Sequence, residues 1–333
     1  MEECSEIVKK KPSRRKYIIA AAVLLSVFTG YIYLVLTWEQ KSDPINESII
    51  RQAAAKTRYL NKEPNELTDE DFAKITSLQL QHSELSDIKL LDKFISLEYL
   101  TLEGSIFSKK GSPKWMTFLA KLGILDLSDR TYIDLSPLEN HVNLKKLYIK
   151  TSRIKNIKPL ASLTNLQTLG LIDSPISDIE PIKELESLKE IYIYGTQISD
   201  IKPLKELKSL KVLEISGKEI SDLESLRGLT NLASLFISGT QVNSLEPLEG
   251  LVNLNKLVLR DTQVSHLEFI KELTNLKQLD IWGTIVSDLE PIKPFTNLRN
   301  LVIRYDKFSD EQVKDLQKAL PNLKIEKKLK IDK

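Results

Sequence analysis

Apolar residues recur along this chain in a frame that repeats every 22 residues. In each unit, leucine-type residues occupy positions 1, 4 and 6, and other apolar residues occupy positions 11, 14, 17 and 20. Strand starts in this frame fall at Ile75, Leu97, Leu122, Leu144, Leu166, Leu188, Leu210, Leu232, Leu254, Leu276 and Leu298. A fixed period of this length predicts a solenoid, in which each coil buries its apolar face only against neighbouring coils.

One spacing departs from this period. Leu97 and Leu122 are 25 residues apart, and the additional residues fall within 108–115. Because the frame resumes intact at Leu122, we predict a bulging loop at 108–115 and eleven strand starts between Ile75 and Leu298. At the usual distance between neighbouring strands, such a stack is roughly 50 Å long.

The part of each coil opposite the strand also has a regular pattern. Position 16 is commonly proline, at Pro137, Pro159, Pro181, Pro203, Pro247 and Pro291. Proline there predicts an extended convex side and argues against a helix. The residue before most strands is asparagine, at Asn143, Asn165, Asn231, Asn253, Asn275 and Asn297. A short polar side chain at this point is expected to satisfy backbone groups of the loop.

The pattern Leu-x-x-Leu-x-Ile-x-x-Thr-x-Ile-x-Asp-Ile-x-Pro-Leu resembles the bacterial leucine-rich repeats of the internalin type, over about residues 44–325. The resemblance implies an α/β solenoid, a curved right-handed stack with a parallel sheet on its concave side. The family usually has asparagine at position 9, where this chain has mostly serine or threonine. A hydroxyl offers one donor where an amide offers two. We therefore expect a thinner polar ladder between coils, weakest at Arg130, Lys218 and Asp306.

Residues 39–74 predict a linker and a helical N-terminal segment before the repeats. Ile49, Ala53 and neighbouring apolar residues have helical spacing, and Thr68-Asp-Glu-Asp71 has the form of a capping box before Phe72. The arrangement resembles the internalin-type N-terminal cap. Such a cap is expected because the first coil of a solenoid would otherwise expose its core.

We assign the repeats to residues 75–319. A second helical pattern lies at their C-terminal end. Ser309-x-x-Gln312 opens this pattern, and Val313, Leu316 and Leu320 fall on one helical face. The last repeat is therefore predicted to merge into a capping helix from residue 309. Residues 320–333 are predicted to form a final strand and a C-terminal tail.

Residues 17–38 contain no charged side chain. As a helix this segment is about 33 Å long, enough to cross a bilayer, and no small-residue cleavage site follows it. We therefore predict a transmembrane signal anchor rather than a cleaved signal peptide. Residues 1–16 carry six Lys or Arg residues, so the positive-inside rule predicts a basic cytoplasmic tail and repeats outside the cytoplasm, at the cell surface or in the periplasm.

Charge and candidate chemistry argue against several classes of function. The chain has 48 basic and 46 acidic residues, and without residues 1–16 the balance is 42 to 43. A nucleic-acid reader usually carries a clustered basic surplus, so nucleic acid is not an expected partner. Cys4 is the only cysteine, and His82, His141 and His266 belong to different coils without ligand spacing. We expect no metal, no cofactor and no enzymatic activity, and we expect His141, at position 20, to pack at the edge of the core.

Function is therefore expected on the concave face, defined as the side of the sheet opposite the core. Positions 5 and 7 of each coil point to this face because side chains alternate along a strand. The candidate partner-binding residues are Tyr148, Lys150, Ile172, Tyr192, Tyr194, Phe236, Val258, Arg260, Trp282, Arg304 and Tyr305, with Val302 in the same row. Aromatic residues flanked by arginine are typical of protein interfaces. Aromatic residues also favour strands for packing reasons alone.

Three functions fit this pattern. The first is a membrane-anchored module that binds a protein or peptide partner on the concave face, in recognition, adhesion or envelope interaction. The second is recognition of a glycan or the cell wall, since aromatic rings also stack on sugars, and it predicts polar groups such as Glu190 and Asp280 beside the rings. The third is a scaffold without an external ligand, which contacts other envelope proteins through its convex face or through residues 108–115.

Overall fold

The computed structural model describes residues 44–57, 62–81, 88–103, 132–151, 153–304 and 306–328. They belong to one compact unit, Pro44–Lys333. Within these ranges, every helix is too short or too polar to traverse a bilayer. The predicted cytoplasmic tail and transmembrane helix, at 1–16 and 17–38, lie outside the described residues.

The strands form one parallel sheet in which neighbours in sequence are neighbours in space. Its members are β1 (Ser77–Gln81), β2 (Tyr99–Glu103), β3 (Lys146–Lys150), β4 (Thr168–Ile172), β5 (Glu190–Tyr194), β6 (Val212–Ser216), β7 (Ser234–Ser238), β8 (Lys256–Val258), β9 (Gln278–Asp280), β10 (Asn300–Arg304) and β11 (Lys324–Lys328). Pairing follows the 22-residue frame from β3 to β10, so that Leu169, Ile191 and Leu213 lie side by side. Residues at positions 4 and 6 are buried in a continuous core, as the periodicity predicted.

The prediction of a separate coil between those of Leu97 and Leu144 is wrong. Strand β2 pairs directly with β3, with Leu100 opposite Leu147, and it pairs with β1 on its other side. Both edges of β2 are therefore occupied by described strands, and no further coil separates β2 from β3 in the sheet. The coil that begins at Leu97 is completed by Ile133, Leu135 and Leu138, which are buried in the core. Residues 104–131, including the predicted loop at 108–115, lie outside the described residues.

The convex side consists of short 3-10 helices, not of the extended chain that we predicted. These helices include Lys158–Ser162, Glu180–Ile182, Lys202–Glu206, Glu246–Leu248 and Glu290–Ile292, each with proline in its first two positions. Proline suits this place because its fixed φ is near helical and the first N–H of a helix needs no partner. Carboxylates two residues before the first helical residue also stabilise the helix start. Asp178, for example, accepts a hydrogen bond of 2.8 Å from the Glu180 N–H.

The asparagines before the strands satisfy backbone groups of the loops, as predicted, and these hydrogen bonds link neighbouring coils. Asn165, Asn231, Asn253, Asn275 and Asn297 each donate a side-chain hydrogen bond of 2.8–3.0 Å to a backbone carbonyl of the preceding coil.

The hydroxyls at position 9 contribute less to this linkage. Ser174 donates to the Thr151 carbonyl of the preceding coil, whereas Thr262 and Thr284 donate to carbonyls of their own coils, those of Leu259 and Ile281. This agrees with the thinner ladder expected from the missing amides.

Helices lie at both ends of the described repeats. They are α1 (Pro44–Ala55) and α2 (Asp69–Ala73) before β1, and α3 (Asp310–Ala319) before β11. The capping box predicted at Thr68 is present, and Ser309, which was predicted to open a helix, forms a second one. Each hydroxyl accepts a hydrogen bond from the backbone N–H three residues on. Buried residues of these helices, among them Ile50 and Leu316, belong to the continuous core. Their role as caps stays a prediction.

His141 packs in the core, as expected from its position in the repeat. It is 2% exposed, and its Nε2–H donates a hydrogen bond of 2.9 Å to the Leu91 carbonyl of the preceding coil. Burial lowers the pKa of the His141 imidazole from its ordinary value.

We predict that His141 makes folding stability pH-dependent. The unfolded chain takes up the proton near pH 6.5, before the folded chain does, so the free energy of unfolding falls as pH drops below about 6.5 and levels off below the folded-state pKa. His141→Leu should remove this part of the pH dependence. Urea denaturation at about pH 7.5 and about pH 5.5 measures it. The exposed His266, changed to Gln, is the control, and equal slopes for the parent and His141→Leu would contradict the prediction.

Candidate functional site on the concave face

Along each strand, side chains point alternately to the core and to the concave face. In β5, Ile191 and Ile193 are buried, while Glu190, Tyr192 and Tyr194 point away from the core and are partly exposed. Most candidate residues follow this pattern, since Tyr148, Phe236 and Trp282 are also partly exposed and Lys150 and Arg260 are exposed. Tyr305 lies outside the described residues.

Two candidates are less accessible than predicted. Ile172 is 7% exposed and Val258 is 9% exposed, although both lie on the outward side of the sheet. In the register of the sheet, Ile172 lies between Lys150 and Tyr194, and Val258 lies between Phe236 and Asp280, so side chains of adjacent strands flank both residues. These two residues therefore support their aromatic neighbours more than they offer contact surface.

A tyrosine pair spans three strands in the first half of the face. The rings of Tyr148 on β3 and Tyr192 on β5 are 6.2 Å apart between centroids, with 30° between their planes. Gly170 on β4 lies between them, and a Cβ atom at this position would be 2.6 Å from Cδ1 of Tyr148. The pair forms because the intervening strand has no side chain there.

Carboxylates surround these tyrosines. Glu190 accepts a hydrogen bond of 3.2 Å from the Tyr192 hydroxyl, and Glu214 lies opposite Tyr192 in the register of β5 and β6. Burial, with Glu190 next in importance, raises the pKa of Tyr192 to about 12. Burial and the charge of Glu190 also raise the pKa of Tyr148, and burial and the charge of Glu214 raise the pKa of Tyr194, where the charge of Lys150 acts in the opposite direction. All three hydroxyls are therefore neutral at physiological pH.

The second half of the face combines aromatic and cationic side chains. The Lys256 ammonium lies 4.7 Å from the centroid of the Phe236 ring, within the range of a cation–π contact. Asp280 accepts a hydrogen bond of 2.6 Å from Nε of Arg260 and one of 3.0 Å from the Trp282 backbone N–H. The Asp280 side chain is only 7% exposed, so Arg260 and Trp282 are held in place by a largely buried carboxylate.

Two further cations of the face, Arg304 and Lys150, are paired within the chain. Arg304 donates to Asp306 at 2.7 and 3.2 Å, and the hydrogen bond from Arg304 is the main reason why the pKa of Asp306 is lowered. Lys150 forms an ion pair of 3.2 Å with Glu103. These exposed pairs fix side-chain positions but add little to stability.

The structure thus brings the candidates together as two separate clusters. The first contains Tyr148, Tyr192 and Tyr194, and the second contains Phe236, Arg260 and Trp282. Gly170, Glu214 and Lys256 belong to these clusters and were not among the predicted residues. A glycine inside a strand is a sequence signal for close approach of a neighbour, and it could have indicated Gly170.

The described part of the chain offers no metal site, and a groove within it lies apart from the candidate residues. It holds no group of three or more His, Cys, Asp or Glu side chains arranged to bind a metal ion. A groove of about 440 Å³ is lined by Tyr132, Asp134, Lys155, Asp178 and Pro181 among others, and none of the candidate residues contributes to it.

Comparison with known proteins supports the repeat class. A family model described as Leucine Rich repeats (2 copies) matches residues 186–228. A search of curated proteins found no significant match.

Solved structures of internalins share the fold. An internalin (inlF) from Listeria monocytogenes is 26% identical with a TM-score of 0.57, and the match covers 87% of this chain and 91% of that chain. A second internalin from the same organism is 23% identical with a TM-score of 0.51, covering 78% and 93%. The functional domain of InlJ from Listeria monocytogenes is 15% identical with a TM-score of 0.55, covering 85% of this chain and 58% of that chain.

These findings support a leucine-rich-repeat solenoid that is similar to the internalins and is built on one parallel sheet. This fold is typically a non-enzymatic scaffold for protein interaction, which favours a protein-binding role.

Proposed function

We propose that this protein binds a protein or peptide partner on the concave face of its repeats. The observation that carries the proposal is the row of partly exposed aromatic side chains, Tyr148, Tyr192, Tyr194, Phe236 and Trp282, on one side of a rigid sheet. Aromatic anchors that are already fixed by neighbours lose little conformational entropy on binding. Gly170, Asp280 and Lys256 provide this fixation here.

We also propose that the repeats are anchored to a membrane and lie outside the cytoplasm. This rests on the uncharged segment 17–38 and the basic residues of 1–16. The partner is then a molecule of the cell envelope or of the cell exterior.

A glycan is the second candidate ligand, and one observation favours it. Two carboxylates contact aromatic residues of the face: Glu190 accepts a hydrogen bond from the Tyr192 hydroxyl, and Asp280 accepts one from the Trp282 backbone N–H. Asp280 is already occupied by Arg260, however, and the Tyr148 and Tyr192 rings are tilted rather than coplanar. These features favour a polypeptide over a flat sugar platform.

The proposal is tested by capture from an envelope extract with residues 44–333 as bait. A variant with Tyr194, Phe236 and Trp282 changed to Ala should lose the captured protein, because it lacks anchors in both clusters. The control variant has Ile95, Val252 and Phe269 changed to Ala, three exposed apolar residues off the sheet face, and should capture as the parent does. Matching far-UV circular dichroism establishes that both variants fold.

The outcomes separate the candidate functions. Capture retained by the first variant and lost by the second would refute concave-face binding and favour the scaffold. Capture of glycan but of no protein, lost in the first variant, would favour carbohydrate recognition.

A further inference from the structure

The first cluster of the concave face has an unbalanced charge. We name Tyr148, Tyr192, Tyr194, Glu190 and Glu214 the tyrosine–glutamate patch. Across the ranges that the structure describes, no Lys or Arg lies within ion-pair distance of Glu190 or Glu214, and the short contacts of Glu190 are with the hydroxyls of Tyr192 and Thr168.

Other carboxylates on or beside the same face are neutralised. Glu103 is paired with Lys150, Asp280 with Arg260 and Asp306 with Arg304. By contrast, Glu190 and Glu214 have no ion-pair partner among the described residues. Both are only partly exposed, so solvent screens them less than it screens a fully exposed carboxylate.

The rings of the patch also lack a cation that other rings of the chain have. Lys256 lies 4.7 Å from the centroid of Phe236, Lys146 lies 5.8 Å from that of Tyr99, and Lys155 lies 5.9 Å from that of Tyr132. Among the described residues, no Lys or Arg lies over Tyr148, Tyr192 or Tyr194 in this way. The three tyrosine rings therefore have no cation partner among the described residues, and a ring face that is not covered attracts one.

We infer that the tyrosine–glutamate patch binds the cationic side chain, Arg or Lys, of a basic segment in a polypeptide partner. Aromatic faces and carboxylates attract the same cation, and together they disfavour an acidic segment at this place. Lys150, whose charge acts on Tyr194 at the edge of the patch, is itself paired with Glu103. This inference rests on the proposed function and specifies the chemistry of the partner.

The electrostatic field at the tyrosine–glutamate patch favours a cationic side chain. The charges of Glu190 and Glu214 both contribute, after burial, to raising the pKa of the Tyr192 hydroxyl. A guanidinium or ammonium group placed there gains from the same two charges.

The experiment selects binding peptides from random sequences, so the natural partner need not be identified first. A random peptide library displayed on yeast is sorted against the full chain, purified in a non-ionic detergent and fluorescently labelled. We expect Arg and Lys to be enriched in the selected peptides. A synthetic copy of a selected peptide in which citrulline replaces arginine should bind about tenfold more weakly.

The matching change in the protein is Glu190→Gln with Glu214→Gln. This variant should bind the basic peptides about tenfold more weakly, and added salt should reduce the difference. The control is Glu184→Gln with Glu249→Gln, which changes the net charge equally at exposed positions away from the sheet face and should bind as the parent does.

Failure of this inference differs from failure of the proposed function. The selected peptides could lack basic enrichment, bind the Glu190 and Glu214 variant normally and fail to bind the triple-alanine variant. This result would refute the cation site and leave concave-face binding in place. Peptides that bind the triple-alanine variant normally would contradict both, as would a library without any binder.

Discussion

Changing Leu213 to Asp should prevent the protein from folding, or lower its free energy of unfolding by more than about 4 kcal/mol. Leu213 is fully buried in the middle of β6 and lies between Ile191 and Leu235 in the register of the sheet. A carboxylate there has no cationic partner, and a buried unpaired charge is among the most costly changes a core can suffer. Because each coil is stabilised by its neighbours, the damage extends to the coils on either side.

The adjacent residue provides the control for this prediction. Glu214 points to the opposite side of the same strand and is partly exposed, so Glu214→Gln should change stability by about 0.5 kcal/mol or less. Far-UV circular dichroism and urea denaturation of the two variants measure the difference. Two variants of similar stability would show that the side chains of β6 do not alternate between core and concave face in this register.

Phe72→Ala should lower the free energy of unfolding by about 3–5 kcal/mol. The Phe72 ring is fully buried, and its centroid lies 4.9 Å from the centroid of the Phe94 ring and 5.2 Å from the Arg51 guanidinium. Removal of the ring leaves a cavity where α1, α2 and the first coil meet, and the loss includes both transfer free energy and packing.

Urea denaturation followed by circular dichroism measures this change. Phe269→Ala, at a residue that is 39% exposed, should have little effect and serves as the control. A small effect of Phe72→Ala would indicate that the N-terminal helices do not stabilise the repeats and are not a cap.

The sequence predicted most of the repeat structure because the signals are local. A period of 22 residues places Ile191 and Ile193 in the core without any information from other coils. The capping box at Thr68 and the helix start at Ser309 are likewise contained in four residues each, and both are present as predicted.

The failures concern interactions between elements that are distant in sequence. The sequence pattern predicted a strand start at Leu122, but the sheet pairs β2 directly with β3. The pattern within one coil does not determine which strands pair, because pairing also depends on the strand edges that other coils offer. Ile172 was predicted as a contact residue from its own strand, and its burial depends on side chains of adjacent strands. The clusters of the concave face have the same origin, since Tyr148 meets Tyr192 only because Gly170 lies between them.

The most direct measurement of concave-face binding is photo-crosslinking from single positions. A benzophenone amino acid replaces Tyr192 on the concave face in one variant and Phe269 on the convex side in another, and each is irradiated with envelope extract. We predict that the first forms a covalent adduct with the captured partner and that the second does not. Adducts only from position 269, or equal adducts from both positions, would contradict binding on the concave face.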